Sequence, residues 1–199
     1  MTQIVVPFRG ESGKQRLDAP EEERVQLALA MLGDVLAAAT VTGRTFVVTG
    51  DATGRALAGE LGAEPLADPG GGQGAAVAAA LTRVASGPVL IVNADVPCVV
   101  PHDLRTLAGA AELGAIGYVE ADDGTTNALA LPDCALFEPL YGEGSAGRFR
   151  EHAEALGVTS ISCAIPNLSD DVDTLDDLRR LGFRAGPRTQ AALGRVLQP

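Results

Sequence analysis

The class of fold is indicated by PVLIVNADVP, residues 88–97, where a fully apolar strand runs into a carboxylate. Residues 89–92, Val-Leu-Ile-Val, are the most apolar strand signal in the chain and are typical of a central strand covered on both faces. Asp95 follows shortly after this strand. A carboxylate at the end of a buried strand is costly unless it is paired or holds a cation. The stretch therefore predicts a central strand with a candidate ligand site at its carboxyl end.

Strand-like and helix-like patterns alternate on both sides of this stretch. We expect strands over residues 4–8, 45–49, 63–67, 88–93, 115–120, 127–131 and 159–165. We expect helices over residues 21–39, 52–61, 75–85, 101–113, 145–156, 175–181 and 187–197. This alternation predicts an α/β fold with a doubly wound, mostly parallel sheet. The closer succession of strands in the second half predicts one antiparallel insertion, and the whole chain, residues 1–199, is expected to form a single domain.

Composition excludes several classes of function. The chain has 199 residues, 15 Lys and Arg against 26 Asp and Glu, and a net charge of −11. This acidic balance argues against nucleic acid and against an anionic membrane surface as partners. The three cysteines are far apart and form no metal-binding spacing, and no apolar run is long enough to span a membrane. A cytoplasmic enzyme with reduced cysteines is expected.

Two glycine-containing loops are candidates for binding a nucleotide. Residues 9–16, Arg-Gly-Glu-Ser-Gly-Lys-Gln-Arg, follow the first strand and contain Lys14, the only lysine in the chain. Residues 70–74, Gly-Gly-Gly-Gln-Gly, precede a helix, and the backbone N–H groups and the Gln73 amide could contact a base or phosphate. The first loop lacks the Walker A spacing. A solvated loop and a flexible turn are the alternatives to nucleotide binding.

A second acidic motif, Asp171-Val172-Asp173, precedes the helix expected over residues 175–181. In an extended segment, residues two apart point the same way, so both carboxylates can face one site. Together with Asp95 they would offer the oxygen ligands that Mg²⁺ prefers. The alternative is an acidic cluster that only favours the N-terminus of the helix.

The order of the motifs resembles that of the 2-phospho-L-lactate guanylyltransferase family. This family includes the phosphoenolpyruvate guanylyltransferases of deazaflavin coenzyme F420 biosynthesis. The resemblance extends from Val5 to about Leu181 and is carried by VVPFRGESGKQRL, GGQGAAV, NADVP, GTTNAL, GEGSAGRFREH and DVDTLDDL. Two features depart from the family pattern: Ala94 stands where a glycine is common, and the turn at residues 70–74 is shorter and richer in glycine.

The resemblance implies a nucleotidyltransferase fold of the GT-A type and a reaction in which GTP and a phosphorylated three-carbon acid give a guanylyl diester and pyrophosphate, with Mg²⁺. It implies the following roles: Lys14, Arg16, Asp95 and Asp173 in catalysis; Arg9, Gly13, Lys14, Gln73 and Gly74 at the nucleotide; Thr126, Gly142 and Ser145 at the acid; and Asp95, Asp171 and Asp173 at the metal.

The alternatives are another Mg²⁺-dependent nucleotidyltransferase, such as a molybdenum-cofactor or cobinamide-phosphate guanylyltransferase, a nucleotide-binding regulator without turnover, and a flavodoxin-like interaction domain. The sequence leaves open whether the acid is phosphoenolpyruvate, 2-phospholactate or 3-phosphoglycerate. A homodimer is expected from the apolar content and the family.

Overall fold

The computed structural model describes residues 2–10 and 17–196. The strands are β1 (Gln3–Pro7), β2 (Arg44–Thr49), β3 (Glu64–Ala67), β4 (Val89–Val92), β5 (Ile116–Glu120), β6 (Thr126–Leu131) and β7 (Ser160–Ser162). The helices are α1 (Glu21–Thr40), α2 (Ala52–Glu60), α3 (Gln73–Leu81), α4 (Pro101–Glu112), α5 (Ser145–Ala155), α6 (Pro166–Ser169), α7 (Leu175–Leu181) and α8 (Pro187–Val196), with a short 3₁₀ turn at Cys134–Leu136.

The strands form one seven-stranded sheet in the order β3-β2-β1-β4-β6-β5-β7. Strand β1 pairs in parallel with both β2 and β4, whereas β6 lies antiparallel between β4 and β5. This confirms the predicted α/β class and its antiparallel insertion. The connections leave β1 towards one edge of the sheet and β4 towards the other, so a crevice opens between the carboxyl ends of these two strands.

Alternation along the central strands covers both faces of the sheet. In β1, Ile4 and Val6 face a core that includes Leu32 of α1 and Leu104 of α4, while Val5 faces the opposite core with residues of α3 and α5. All five residues are fully buried. Because side chains alternate between faces along a strand, one short apolar run supports both layers of helices.

Two segments differ from the sequence-based expectation. The helix expected over residues 75–85 is α3, which begins at Gln73 and ends at Leu81. Gly72 adopts a positive φ of 92° and its carbonyl accepts the first helical hydrogen bond, from Ala76 at 3.0 Å, so the helix starts within the glycine-rich turn. The strand expected over residues 159–165 is shortened to β7, because Pro166 opens the unpredicted short helix α6.

No helix in the described parts of the chain, residues 2–10 and 17–196, is long and apolar enough to cross a membrane.

A buried carboxylate fastens the C-terminal helix to α1. Asp34 lies in the middle of α1, and its two carboxylate oxygens accept hydrogen bonds from the backbone N–H groups of Arg188 (3.1 Å) and Thr189 (2.8 Å). These N–H groups belong to the first turn of α8, where no intrahelical acceptor is available. Gly186 passes so close to Asp34 that a Cβ atom there would overlap the carboxylate. Asp34 therefore caps α8 from another element of the fold.

We expect Asp34→Ala to lower the free energy of unfolding by about 2 kcal/mol, because a cap and two hydrogen bonds to a charged group are lost together. Urea denaturation followed by circular dichroism measures the change. Gln26→Ala, an exposed substitution on the same helix, is the control and should leave the unfolding free energy nearly unchanged. Equal stability of the two variants would contradict the capping role.

Candidate active site

The crevice between β1 and β4 contains a cavity of about 240 Å³. Its walls come from residues 7–10 at the end of β1, residues 93–95 after β4, Asp68 in the turn that follows β3, and residues 72–73 at the start of α3. The α1 side chains of Ala28 and Met31 close its apolar side. A cavity with an apolar wall and a few polar groups, placed where the winding of an open sheet reverses, is typical of a nucleotide site.

Three carboxylates meet at the edge of this cavity. Asp95, Asp171 and Asp173 each offer one carboxylate oxygen, and these oxygens all lie within 4.8 Å of one another. The two segments are joined by a hydrogen bond from the backbone N–H of Val172 to the carbonyl of Asp95 (3.0 Å). Val172 is fully buried, so its neighbours on either side are turned to the same half-buried face.

The start of α7 holds Asp173 in place. Asp177 accepts hydrogen bonds at one carboxylate oxygen from the backbone N–H groups of Asp173 (3.2 Å) and Thr174 (2.9 Å), and also from the Thr174 hydroxyl (2.8 Å). Burial alone would raise the pKa of Asp177, but these hydrogen bonds together with one from Arg180 bring its pKa below the usual value. The carboxylate of Asp177 therefore stays charged and acts as an anchor.

Asp170 has a different role from the two aspartates that follow it. Its carboxylate forms ion pairs with Arg180 (3.0 Å) and Arg184 (2.8 Å). Thr174 caps α7 and Asp177 completes the capping box, whereas the alternative of a purely helix-capping acidic cluster assigns this role to residues 170–173. Asp171 and Asp173, however, meet Asp95. The acidic stretch is thus divided between a structural half and a half that faces the cavity.

The donor set of the cluster fits a hard divalent cation. Mg²⁺ binds oxygen at about 2.1 Å, so two opposite ligands lie about 4.2 Å apart. Adjacent ligands of the same ion lie about 3.0 Å apart, so the three carboxylate oxygens, which lie within 4.8 Å of one another, would move closer together to bind one ion. In the described residues this is the one group of three or more such side chains that could hold a metal ion.

Only some of the residues expected from the sequence to bind the nucleotide line the cavity. Arg9 and Gln73 line the cavity, and the Gln73 amide donates to the side-chain carbonyl of Asn93 at 2.7 Å. Gly74 does not line it; a Cβ atom at this position would lie 2.5 Å from Pro139, so a close packing contact explains the glycine. Gly13, Lys14 and Arg16 lie outside the described residues.

The three residues expected at the acid substrate lie together. Thr126 begins β6 and Ser145 begins α5; both are buried, and the Ser145 hydroxyl donates to the Thr126 hydroxyl oxygen at 3.1 Å. Gly142 has a φ of 113°, and its carbonyl accepts a hydrogen bond from the N–H of Ser145 at 3.0 Å. The loop is also held by Arg148, whose guanidinium donates to the carbonyls of residues 140, 141 and 143.

Sequence reasoning did not find four residues that shape the site: Asp68, Asn93, Asn127 and Arg148. Asn93 was detectable, since it stands directly at the carboxyl end of β4, two residues before Asp95. Asp68 and Arg148 carried no signal, because each depends on a loop conformation that no periodic pattern encodes. Asn127 lies within a strand, and the sequence does not show which hydrogen bonds its side chain makes.

Comparison with known proteins defines the class. The MobA-like NTP transferase domain matches residues 25–162, and the chain belongs to this family. Curated relatives that align over nearly the full length of this chain then identify the family more closely. A Streptomyces scabiei protein is 38% identical, with 98% of this chain and 97% of that protein covered, and a Geodermatophilus obscurus protein is 35% identical, with 92% and 86% covered. Both relatives are named phosphoenolpyruvate guanylyltransferase, so the family resemblance found in the sequence is confirmed.

Solved structures support the fold alone. The crystal structure of a candidate nucleotide-diphospho-sugar transferase from Desulfovibrio desulfuricans G20 superposes with a TM-score of 0.78 at 17% identity, covering 98% of this chain and 94% of that chain. A nucleotidyl transferase from Methanothermobacter gives a TM-score of 0.66 at 17% identity, with 91% and 95% covered. The predicted nucleotidyltransferase fold is confirmed.

Proposed function

We propose that this protein is a guanylyltransferase that joins GMP from GTP to the phosphate of phosphoenolpyruvate and releases pyrophosphate, as a step towards the deazaflavin coenzyme F420. The observation that carries the proposal is the group formed by Asp95, Asp171 and Asp173 beside a cavity at the reversal of the sheet. The names of the relatives support the choice of GTP and of a three-carbon phospho-acid.

The chemistry needs little help from a protein base. An oxygen of the acid's phosphate attacks the α-phosphorus of GTP, and the bond from that phosphorus to the bridging oxygen of the departing pyrophosphate breaks. The attacking oxygen is already ionised at neutral pH, so no proton must be removed. This agrees with the two histidines: His102 lies at the start of α4, outside the cavity lining, and His152 contacts the Leu136 carbonyl at 3.0 Å.

The main barrier is repulsion between two phosphate groups. Asp95, Asp171 and Asp173 would hold Mg²⁺ at the mouth of the cavity. When bound, the ion supplies charge neutralisation between the two anionic substrates. The protein then contributes orientation, because the aspartates are fixed by Val172 and Asp177 before any ligand arrives. Lys14 and Arg16 are proposed, from the sequence, to contact the departing pyrophosphate.

The acid is proposed to bind near Thr126, Gly142 and Ser145. Helix α5 begins at Ser145, and the N-terminus of a helix attracts anions. Its first two N–H groups already donate to the carbonyls of Gly142 and Gly124, so the attraction comes from the helix dipole and the later N–H groups of the first turn. Two hydroxyls stand beside these groups. Because Arg148 fixes the loop that leads into α5, the arrangement exists before the substrate binds.

The base is proposed to be recognised by Asp68, which lines the cavity. One oxygen of its carboxylate accepts a hydrogen bond from the backbone N–H of Gly70 at 2.8 Å, which orients the side chain. Guanine presents two adjacent donors, the ring N–H and the exocyclic amino group, and these suit a carboxylate. Adenine presents a ring acceptor at the same place, which a carboxylate repels.

Location and assembly complete the proposal. Both substrates are cytoplasmic metabolites, so the protein is proposed to act in the cytoplasm, with no nucleic-acid partner. A homodimer is proposed from the family resemblance, and light scattering coupled to size-exclusion chromatography determines the mass in solution.

Pyrophosphate release tests the reaction. With GTP and Mg²⁺ present, we expect release with phosphoenolpyruvate and little or none with 2-phospholactate or 3-phosphoglycerate, each assayed in a separate reaction. Replacing GTP by ATP or CTP should suppress release. Pyrophosphate in none of these mixtures would contradict the proposed reaction and favour a larger acceptor, such as a molybdenum cofactor.

We expect Asp173→Asn to abolish turnover while the protein remains folded, because the amide loses the charge but keeps the size of the side chain. Turnover and the thermal midpoint are measured on the same preparation. Asp176→Asn is the matched control: its side chain is 87% exposed, three residues away in α7, and should retain activity. Retained, Mg²⁺-dependent turnover of Asp173→Asn would exclude the assigned metal site.

Asp68→Asn should reduce the preference for GTP over ATP by about tenfold, since one charged acceptor for a guanine donor is replaced by an amide. We expect the loss to appear mainly as a higher KM for GTP, because the base is remote from the reacting phosphorus. Asp176→Asn again provides the control. An unchanged ratio of kcat/KM for the two nucleotides would show that other groups read the base.

A further inference from the structure

Asn127 stands outside the cavity lining, yet it connects the parts of the site. It is the second residue of β6 and is 2% exposed. Its side-chain oxygen accepts a hydrogen bond from the Asn93 amide at 3.3 Å, and its side-chain amide donates to the backbone carbonyl of Ser169 at 3.1 Å. Its own carbonyl accepts from the backbone N–H of Asn93 at 2.9 Å.

These contacts continue into a directional chain of amides. Gln73 donates to Asn93 (2.7 Å), Asn93 donates to Asn127 (3.3 Å), and Asn127 donates to the carbonyl of Ser169 (3.1 Å). An amide side chain has a donor at one corner and an acceptor at the other. Each link therefore fixes the orientation of the next, and the final acceptor, a backbone carbonyl, fixes the direction of the whole chain.

The ends of the chain belong to the functional elements. Gln73 and Asn93 line the cavity, and Asn93 is two residues before Asp95. Ser169 is two residues before Asp171 and ends the short helix α6. Asn127 thus connects the end of β4, which carries one aspartate, to the segment that carries the other two.

We propose that Asn127 is a positioning residue, which sets the distance between Asp95 and the Asp171–Asp173 pair through the carbonyl of Ser169. The inference rests on the proposed metal site. Asp177 and Val172 fix the acidic segment at and after the aspartates, and Asn127 fixes it before them. Without the Asn127 side chain the segment keeps its later anchors, as well as the ion pairs of Asp170 and the packing of the buried Leu168, but loses its side-chain hydrogen bond to the sheet upstream of Asp171.

The test measures Mn²⁺ binding without turnover. Free Mn²⁺ is followed by electron paramagnetic resonance while the full-length protein is titrated with the ion, in the presence of GTP and without any acid acceptor. We expect Asn127→Leu, similar in size but unable to form hydrogen bonds, to raise the Kd for Mn²⁺ by about tenfold, as other residues that orient metal ligands do.

The chain offers a matched control at the other end of the sheet. Gln3 is also a buried amide, 6% exposed, and it exchanges two hydrogen bonds with the backbone of Ala85 at 2.9 and 3.0 Å. Gln3→Leu removes an equivalent pair of bonds and should lower the thermal midpoint while leaving the Kd for Mn²⁺ unchanged. An equal rise in the Kd for Mn²⁺ in Asn127→Leu and Gln3→Leu would show that the effect comes from a general loss of stability, and this would overturn the proposal.

A second variant covers the case in which Asn127→Leu does not fold. Asn127→Asp keeps the acceptor for Asn93 but turns a carboxylate oxygen towards the Ser169 carbonyl. Its added negative charge would by itself attract the cation, so weaker Mn²⁺ binding by the folded variant indicates displacement of the aspartates, and this is the expected result. Unchanged or tighter binding would overturn the positioning role.

Asp173→Asn separates the two hypotheses in the same titration. If Asp173→Asn weakens Mn²⁺ binding and the Asn127 variants do not, the metal site stands and the positioning role is wrong. If Asp173→Asn also leaves the Kd for Mn²⁺ unchanged, the metal site in the proposed function is wrong, and the failure lies there and not in the positioning role.

Discussion

The parallel pairing of β1 with β4 is the contact from which the rest of the site follows. The register places Gln3 opposite Val89 and Val5 opposite Ile91, so the two strands end side by side. Because the chain leaves β1 towards one edge of the sheet and β4 towards the other, a gap opens at the carboxyl ends of these two strands. The cavity and the carboxylate of Asp95 both occupy this gap, so their proximity is a property of the topology.

The fold brings the three carboxylates of the acidic cluster together against an electrostatic cost. Three carboxylates within 4.8 Å repel one another, in a chain that already carries a net charge of −11. The fold meets this cost with neutral backbone bonds and with separate ion pairs for the neighbouring Asp170. These stabilising contacts are made by residues around the cluster.

Much of the fold and part of the site could be predicted from the sequence. The Val-Leu-Ile-Val run, the alternation of helix and strand, and the spacing of Asp171 and Asp173 depend on local periodicity, which the sequence shows directly. Asp68, Arg148 and Asn127 act through partners 2 to 42 residues away along the chain, in loops or on other elements. Such contacts become visible only when the strands are ordered, since a buried asparagine in a strand looks the same whether or not it joins two elements.

The order in which the elements occur along the chain has a consequence for biosynthesis. The cavity walls begin at residue 7, whereas Asp173 and its anchor Asp177 follow β7, the last strand that the structure describes, and α8 then packs on α1. During translation the first strands emerge long before the residues that complete the site. A nascent chain can therefore form much of the sheet while Asp95 is still without Asp171 and Asp173, and the proposed site is complete only after residue 177 has been synthesised.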